Sequence, residues 1–310
     1  MSADMRVTLC GVRGSTNAPG LEFVRFGGHT SSVAIGPPDK PPTLLLDAGT
    51  GIRNVTALLG GAPFRGAVVV THMHWDHFQG LPFFQGADRE GARTDVVLPA
   101  ETTASAVEIF HRAMSPPVFP IGVDGLNGEW ATHGTPEGWA EWGGYSVLAK
   151  EIPHKGGRTL GFRVQASNDG PSLAYLPDHG ALVPKGRTTG VLHDNAMELC
   201  EGVDLLIHGG PFKDEEREIA IAFGHSTIEY ALELAVAAGA RQLAITHHSP
   251  ARDDNALDDL VAGLAGPSVS FARDGASVNL AATKPPSAVG VSGGVLAACS
   301  KAAHRGPKPA

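Results

Sequence analysis

The segment Thr71-His72-Met73-His74-Trp75-Asp76-His77 contains three imidazoles and one carboxylate, and it follows the apolar run Ala67-Val68-Val69-Val70. A β-strand that ends at Thr71 would place His72 and His74 on one side of the chain, because alternate side chains of a strand point the same way. One metal ion can then bind both rings. Imidazole and carboxylate ligands without thiolate favour Zn²⁺ and, after it, Mn²⁺ or Fe. The segment therefore predicts a metal site that follows a strand.

The other two candidate ligands of this segment, Asp76 and His77, predict a second metal ion. Asp76 and His77 come next, and Gln79-Gly80-Leu81-Pro82 is typical of a turn beside a short helix. Such a helix would carry Asp76 and His77 further along the same cleft than His72 and His74. The spacing therefore favours two neighbouring ions.

The segment His72-Met73-His74-Trp75-Asp76-His77 resembles the H-x-H-x-D-H signature of the metallo-β-lactamase-fold hydrolases. That resemblance implies a Gly-rich loop after the first strand, an Asp after a hydrophobic strand, a third His, a bridging Asp and a last His. All are present in this order, each after an apolar run: Arg13-Gly14-Ser15-Thr16, Asp47, His154, Asp178 and His247. The resemblance extends from roughly Val7 to Leu280. It implies an α/β fold, an αββα four-layer sandwich of two mixed β-sheets flanked by helices.

The resemblance also implies a role for each ligand. The first ion would be held by His72, His74 and His154, the second by Asp76, His77 and His247, and Asp178 would bridge the two. His248 competes with His247, but similar proteins have Thr-His-x-Ser here, which favours His247. We interpret Asp47 as a carboxylate that holds a ligand histidine in one tautomer, because metal sites usually require such a partner.

The charge of this centre indicates its substrate. Two divalent ions, two ligand carboxylates and a bridging hydroxide leave about one positive charge facing the cleft, which favours an anionic substrate. A metal-bridging hydroxide between paired ions suits in-line displacement at phosphorus, so we expect a phosphodiesterase that acts on a small phosphodiester or cyclic phosphate. The same hydroxide also attacks thioesters, lactones and β-lactams, so a lactonase, esterase or β-lactamase is the alternative. A metal-binding sensor without turnover is less favoured, because the ligand set is complete.

The loop Gly224-His225-Ser226-Thr227 favours the phosphodiesterase. It precedes a predicted helix with a capping box, Ser226 to Glu229, and it resembles the His-Ser-Thr loop of the branch that includes tRNase Z and small cyclic phosphodiesterases. There the histidine implies a general acid for the leaving oxygen. The candidate catalytic residues are therefore Asp76 and His225. An acidic residue commonly follows the strand at 205–208 in that branch, but this chain has Gly209-Gly210. Glu215, Glu216 or Glu218 could supply a carboxylate partner for His225, although such a run of glutamates more often forms a solvated face.

The overall charge argues against a nucleic-acid substrate. The net charge is −8 and the pI is about 5.9, whereas polynucleotide binders usually present a basic face. We therefore expect a small anionic substrate, with an RNA-processing nuclease as a further alternative. No apolar run reaches the roughly 20 residues of a membrane span, and no signal peptide is evident. We expect a cytoplasmic protein with no membrane partner, and a homodimer is left open.

The composition favours one domain. The chain has 310 residues, of which 42% are apolar and 18% charged, enough for a sizeable core. We expect a hydrolase domain over residues 1–280 and a mostly disordered tail over 281–310, which is rich in small residues, Pro and Gly. The three cysteines are too widely spaced for a disulfide framework.

Two further expectations concern local structure. The runs at 269–272 and 277–280 flank Asp274-Gly275, which is a hairpin signal, and a last helix is expected over 254–264. The segment Phe110–Pro120, together with Trp130, Trp139 and Trp142, is either a lid over the site or a packing insertion.

Overall fold

The computed structural model describes residues 4–166, 170–181, 191–263 and 268–281. The strands within these ranges are β1 (Met5–Gly11), β2 (Ser32–Gly36), β3 (Leu44–Leu46), β4 (Arg65–Val69), β5 (Arg93–Leu98), β6 (Glu129–Gly134), β7 (Gly138–Trp142), β8 (Tyr145–Glu151), β9 (Leu160–Gln165), β10 (Ser172–Leu176), β11 (Leu205–Gly209), β12 (Leu243–Thr246), β13 (Val269–Phe271) and β14 (Ser277–Leu280). The helices are α1 (Ile52–Leu58), α2 (Trp75–Phe78), α3 (Thr103–Ala113), α4 (Asp194–Cys200), α5 (Arg217–Phe223), α6 (Ile228–Ala237) and α7 (Asp254–Gly263).

The strands form two sheets of seven within the described ranges. The first has the order β14-β1-β2-β3-β4-β5-β6, and the second has the order β13-β12-β11-β10-β9-β8-β7. Both are mixed: β3 to β6 run parallel while β1 is antiparallel to both of its neighbours, and β10 to β13 run parallel while β7 to β9 are antiparallel. The predicted pair of mixed sheets is confirmed.

Alternation along the strands assigns each side chain to a layer. Leu44 and Leu46 of β3 face the second sheet and join the core between the sheets, where they lie with Phe162 and Ile207. Leu45, one residue away, faces outward and packs in a second cluster with α1, α2 and α3. Burial of each leucine contributes roughly 1.5–3 kcal/mol. A third cluster packs α4, α6 and α7 on the outer face of the second sheet, which completes the predicted four layers.

The last two strands correct the hairpin prediction. The turn at Asp274-Gly275 forms, with the N–H of Ala276 donating to the carbonyl of Arg273 at 3.0 Å. However, β13 pairs in parallel with β12 of the second sheet, and β14 pairs antiparallel with β1 of the first. The two strands separate because each completes the edge of a different sheet. The chain therefore crosses between sheets here.

Three smaller expectations also change. The strand β4 ends at Val69 rather than Thr71, because the N–H of Thr71 turns to the carboxylate of Asp47 at 2.8 Å. The N-cap of α6 is Thr227, whose side chain accepts from the N–H of Tyr230, so the predicted capping box that starts at Ser226 is wrong by one residue. The last predicted helix is α7, and it is described up to Gly263.

The tail expected over 281–310 lies outside the described residues except for Ala281. None of the helices in the described ranges is long and apolar enough to cross a bilayer.

Candidate metal centre

Four ligand atoms from three separate segments form the first cluster at the edge of the sheets. Nε2 of His72 lies 2.9 Å from Nδ1 of His74, and Nε2 of His154 lies 3.4 Å from the same Nδ1. Oδ2 of Asp178 lies 3.4 Å from Nε2 of His72 and 3.3 Å from Nε2 of His154. The structure thus brings together the four residues predicted for the first ion.

The second cluster is built from the residues predicted for the second ion. Nε2 of His77 lies 3.3 Å from Nε2 of His247, and both rings approach Oδ2 of Asp76, at 3.3 and 3.1 Å. Oδ1 of Asp178 lies 2.8 Å from Nε2 of His247 and 3.4 Å from Nε2 of His77. Asp178 therefore directs one carboxylate oxygen to each cluster, which is the geometry of a bridging ligand.

These spacings fit a metal ion better than a network of hydrogen bonds. A tetrahedral site with bonds of about 2.0–2.1 Å separates its ligand atoms by about 3.3 Å. The separations in both clusters lie close to this value, and the ligand atoms of each group are all within 4.8 Å of one another. The donor set of imidazole and carboxylate suits Zn²⁺, as predicted.

Asp47 orients one histidine of each cluster. Nδ1 of His77 donates to its Oδ2 at 2.7 Å, which turns Nε2 towards the site. Thr71 donates its hydroxyl to Oδ1 of Asp47 at 2.9 Å, and Nδ1 of His72 lies 3.0 Å from that hydroxyl. The hydroxyl of Tyr175 donates to the same carboxylate at 2.9 Å. The predicted contact of Asp47 with a candidate ligand histidine agrees with this geometry, and Thr71 connects the same carboxylate to a second histidine.

Backbone groups position two further candidate ligands. Nδ1 of His154 donates to the carbonyl of Gly224 at 2.7 Å, which directs Nε2 to the first cluster. The N–H of Ser15 donates to Oδ2 of Asp76 at 2.6 Å. Sequence reasoning noted the Gly-rich loop that contains Ser15 but gave it no contact with the site. A small, turn-forming segment after the first strand was the available signal.

Strained backbone occurs at the site. The non-glycine residues with positive φ among those described are Ser15 (φ 61°), Asp47 (φ 60°) and His247 (φ 57°). Left-handed φ costs of order 1–3 kcal/mol for such residues and persists where the surroundings impose it. All three residues either belong to the candidate site or bind one of its ligands. The fold therefore sacrifices some stability to hold these groups in place.

The histidine pKa values are shifted in opposite directions in the two clusters. Burial lowers the pKa of His72 to about 4. Burial also opposes a charge on His247, but the carboxylates of Asp178 and Asp76 raise its pKa to about 9. The pKa of His77 is likewise raised well above its usual range, by the same carboxylates against the effect of burial. Without an ion, His77 and His247 therefore hold protons that His72 does not.

The adjacent His248 is excluded from the site. Its Nε2 donates to the carbonyl of Ala272 at 2.8 Å, and its ring stacks on Phe271 with centroids 5.6 Å apart. His247 faces the carboxylates instead. The choice of His247 over His248 agrees with this geometry.

His225 lies beside both clusters. Its ring centroid is 5.0 Å from that of His154 and 5.2 Å from that of His247, and a ring nitrogen falls within 4.8 Å of ligand atoms of Asp178 and His247. Burial lowers the pKa of His225 to about 3. In the described structure Nδ1 of His225 has no hydrogen-bond partner. Neither Glu215, Glu216 nor Glu218 therefore pairs with this nitrogen in the described structure.

The three glutamates considered for that role lie on or beside α5. Glu216 pairs with Arg252 and accepts from the N–H of Lys213, and Glu215 lies 3.7 Å from Nζ of Lys213. Gly209 leaves no room for a side chain, because a Cβ there would lie 1.8 Å from the carbonyl oxygen of Pro177. The strand end that commonly supplies an acid in similar proteins is filled by backbone in this one.

A cleft of about 610 Å³ opens over the two clusters. Its lining consists of Gly14, Ser15, Met73, His74, Trp75, Asp76, His154, Asp178, Pro211, Phe212, Phe223, His225, His247, Ser249 and Pro250. The proposed lid contributes none of these residues. Phe110 packs on Phe78 with ring centroids 5.8 Å apart, and Trp130 and Trp139 lie on the strands β6 and β7. In the described structure this segment does not line the cleft, which favours the packing insertion over the lid.

Residues 43–248 match the family described as the beta-lactamase superfamily domain. The chain therefore belongs to this superfamily, whose members with a metallo-β-lactamase fold are metal-dependent hydrolases. The two-sheet architecture and the His/Asp cluster agree with that class.

Three individual comparisons support the assignment. Ribonuclease Z of Anoxybacillus flavithermus is 26% identical over 284 residues, which cover 78% of this chain and 88% of that relative. YhfI from Bacillus subtilis has a similar structure, with a TM-score of 0.65 and 18% identity over 89% of this chain and 99% of that one. A diphosphatase from the PhnP family gives a TM-score of 0.62 and 19% identity, over 89% and 97% of the two chains. At these identities the structural likeness shows the fold alone.

Proposed function

We propose that this protein is a dinuclear metal-dependent phosphodiesterase that hydrolyses a small phosphodiester or cyclic phosphate. The observation that carries the proposal is the carboxylate of Asp178, which directs Oδ2 to one ligand cluster and Oδ1 to the other, with His225 beside both. A pair of ions suits displacement at phosphorus, in which attacking and leaving oxygens need stabilisation at once.

The candidate ligands divide between two ions. The first ion would be held by His72, His74 and His154, the second by Asp76, His77 and His247, with Asp178 between them. When bound, two Zn²⁺ ions supply Lewis acidity and an activated water. The chain itself holds these ligands in one orientation through Asp47, the carbonyl of Gly224 and the N–H of Ser15.

His225 is assigned as the general acid for the leaving oxygen. Its position beside both clusters supports this role, because an ester bound over the clusters would lie next to its ring. Its lowered pKa means that the ring is neutral at pH 7 in the ion-free protein. An anionic phosphate in the cleft opposes that shift, as Asp178 already does. A neutral lactone supplies no such charge, so this residue favours the phosphodiester over the lactone.

Similar proteins act on related bonds. One structural neighbour is named as a diphosphatase and the curated relative as a ribonuclease, so both names refer to bonds at phosphorus. This supports a phosphorus-centred reaction in the present chain. The net charge of −8 supports a small anionic substrate rather than a polynucleotide.

The leaving group tests the proposal. Alkoxide leaving groups need a proton, whereas p-nitrophenolate hardly does. Substitution of His225→Ala in the Zn²⁺-loaded protein should lower kcat/KM about 10²–10⁴-fold on a nucleoside 3′,5′-cyclic phosphate, and much less on bis-p-nitrophenyl phosphate. The exposed His111 of α3, outside the cleft, provides the matched control His111→Ala, which should leave both rates unchanged.

Equal losses on both phosphodiesters would contradict the acid role. Efficient turnover of a lactone or a cephalosporin, with neither phosphodiester cleaved by wild type, would favour the lactonase or β-lactamase alternative. The first outcome tests the role of His225, and the second tests the class of reaction.

An RNA-processing nuclease is the second candidate, because the curated relatives that match most of this chain are named ribonuclease Z. Against it, the described lining of the cleft contains no lysine or arginine. Incubation with a tRNA precursor that carries a 3′ extension distinguishes the two. Cleavage of that RNA at a rate above that of small diesters would show that the substrate is RNA rather than a small phosphodiester.

A further inference from the structure

Two large aromatic side chains are exposed at the candidate site. Trp75 begins α2 between the candidate ligands His74 and Asp76, and 80% of it is accessible to solvent. Phe223 ends α5, directly before the Gly224 whose carbonyl binds His154, and 60% of it is accessible. Both residues line the cleft over the two clusters. They come from opposite halves of the chain, one after β4 and the other after β11.

Four other apolar residues line the same cleft beside the candidate ligands: Met73, Pro211, Phe212 and Pro250. The Phe212 ring lies 5.9 Å from that of His225. Exposed aromatic side chains lose the favourable burial that their large apolar surface would provide in a core, so their concentration at one cleft indicates a ligand surface. A purely polar substrate would leave this wall in water.

The lack of cationic side chains in the cleft limits the number of negative charges that a bound phosphate ester can carry. Within the described part of the chain, no lysine or arginine lines the cleft, and the nearby Lys155 donates its ammonium to the carbonyl of Ala222 at 2.8 Å. A phosphate monoester or a diphosphate carries two or more negative charges and would find no side-chain cation to pair with. A phosphodiester carries one. The wall therefore suits a single negative charge attached to an apolar group.

We infer that the substrate is a monoanionic phosphodiester with a flat aromatic group of about nucleobase size, and that Trp75 and Phe223 bind this group. The inference rests on the proposed function, because the phosphodiester is placed over the two ligand clusters. Stacking on an aromatic side chain tolerates any base, so affinity for the ring rather than selectivity among bases is the expected property.

A matched pair of ligands tests the inference. One is a nucleoside 3′,5′-cyclic phosphate, and the other is the same cyclic phosphate with hydrogen in place of the base. Each is measured as a competitive inhibitor of bis-p-nitrophenyl phosphate hydrolysis, so a constant is obtained even if neither is cleaved. Wild type should bind the base-bearing ligand about tenfold more tightly, and Trp75→Ala should reduce that preference to near unity.

Two further variants make the result specific. Trp75→Phe keeps an aromatic face and should retain most of the preference, while Trp139→Ala removes a tryptophan that is 55% exposed on β7 and outside the cleft, and should retain all of it. Tryptophan fluorescence gives a second readout that does not depend on turnover. The base-bearing ligand should quench the wild-type emission and should quench it far less in Trp75→Phe.

Three outcomes would overturn the inference. These are equal affinity of wild type for the two ligands, an equal loss for both in Trp75→Ala, or a change in molecular mass by light scattering in Trp75→Ala without a change in preference. A change in molecular mass would indicate that the aromatic wall formed by Trp75 and Phe223 contacts a second copy of the chain instead of a substrate. Failure of the proposed function is distinguishable, since it appears as absence of bis-p-nitrophenyl phosphate turnover in wild type, while fluorescence still reports binding.

Discussion

The Oδ2 atom of Asp47 accepts a hydrogen bond from Nδ1 of His77 at 2.7 Å, although neither residue is accessible to solvent. Asp47 follows the strand β3, and His77 lies on the helix that follows the neighbouring strand β4. The parallel pairing of these strands brings the two residues together. The bond fixes the tautomer of His77, so that Nε2 is free to bind an ion.

Removal of the charge of Asp47 should therefore weaken binding of the second ion. In Asp47→Asn, we expect the affinity for that ion to fall about 10–100-fold, the usual effect of losing such a partner. A competition titration with a chelator measures it. Tyr175→Phe removes another donor to the same carboxylate without touching His77, so it serves as the control and should retain most of the affinity. Unchanged affinity in Asp47→Asn would show that His77 is oriented by packing alone.

Gly14 leaves room for His247. A Cβ at position 14 would lie 2.2 Å from Nδ1 of His247, which is buried. The substitution Gly14→Ala should displace this ring and lower the affinity for the second ion at least about tenfold, while the first ion is retained. Gly263→Ala adds the same methyl group where no atom lies within 4 Å, so its metal content should match wild type. Full metal content in Gly14→Ala would mean that the loop moves without cost.

The metal content of the whole site follows from the shared carboxylate of Asp178. We expect about two ions per chain in fully loaded wild type, because two complete ligand clusters are present. His74→Ala and Asp178→Ala should each reduce this to one or none, and Asp178→Ala should have the larger effect because both clusters lose an oxygen. Elemental analysis of the purified variants measures the content. One ion or fewer in loaded wild type would refute the dinuclear assignment.

Binding of the second ion should depend on pH. The pKa of His247 is raised to about 9, so below this pH the ring carries a proton that must leave before Nε2 can bind a metal. The apparent Zn²⁺ affinity of the second cluster should therefore rise as pH increases from about 7 to about 9. Chelator competition at several pH values in this range measures the slope.

The first cluster provides an internal control for that experiment. The pKa values of His72 and His74 are both lowered, so these rings are neutral above pH 7 and release no proton. Its affinity, measured in His247→Ala, should change little over the same range. A flat profile for the second cluster as well would contradict the raised pKa of His247.

Much of the site was predictable because each ligand stands directly after an apolar strand. His72, Asp178 and His247 follow the strands β4, β10 and β12 within a few residues, and an apolar run that ends in a ligand is visible in one dimension. The tautomer role of Asp47 was predictable for the same reason. The hairpin predicted from the runs at 269–272 and 277–280 was wrong, because a turn signal indicates the turn but not which sheets the flanking strands join.

Other features depend on residues that are far apart in the chain. The aromatic wall combines Trp75 with Phe223, and nothing local distinguishes an exposed aromatic side chain from a buried one. The missing partner of His225 was also unpredictable. The glutamates were present in the sequence, but in the folded protein they face Arg252 and Lys213.

The sequence by itself determined the ligand types, their order and the strands that present them, because these depend on short-range alternation and on the chemistry of single side chains. Only the tertiary structure decided that Gly14 leaves space for His247 and that the last two strands belong to different sheets. The physical reason is that such relationships are set by long-range packing of two sheets, whose contacts join residues far apart in the chain, such as Met5 and Leu280.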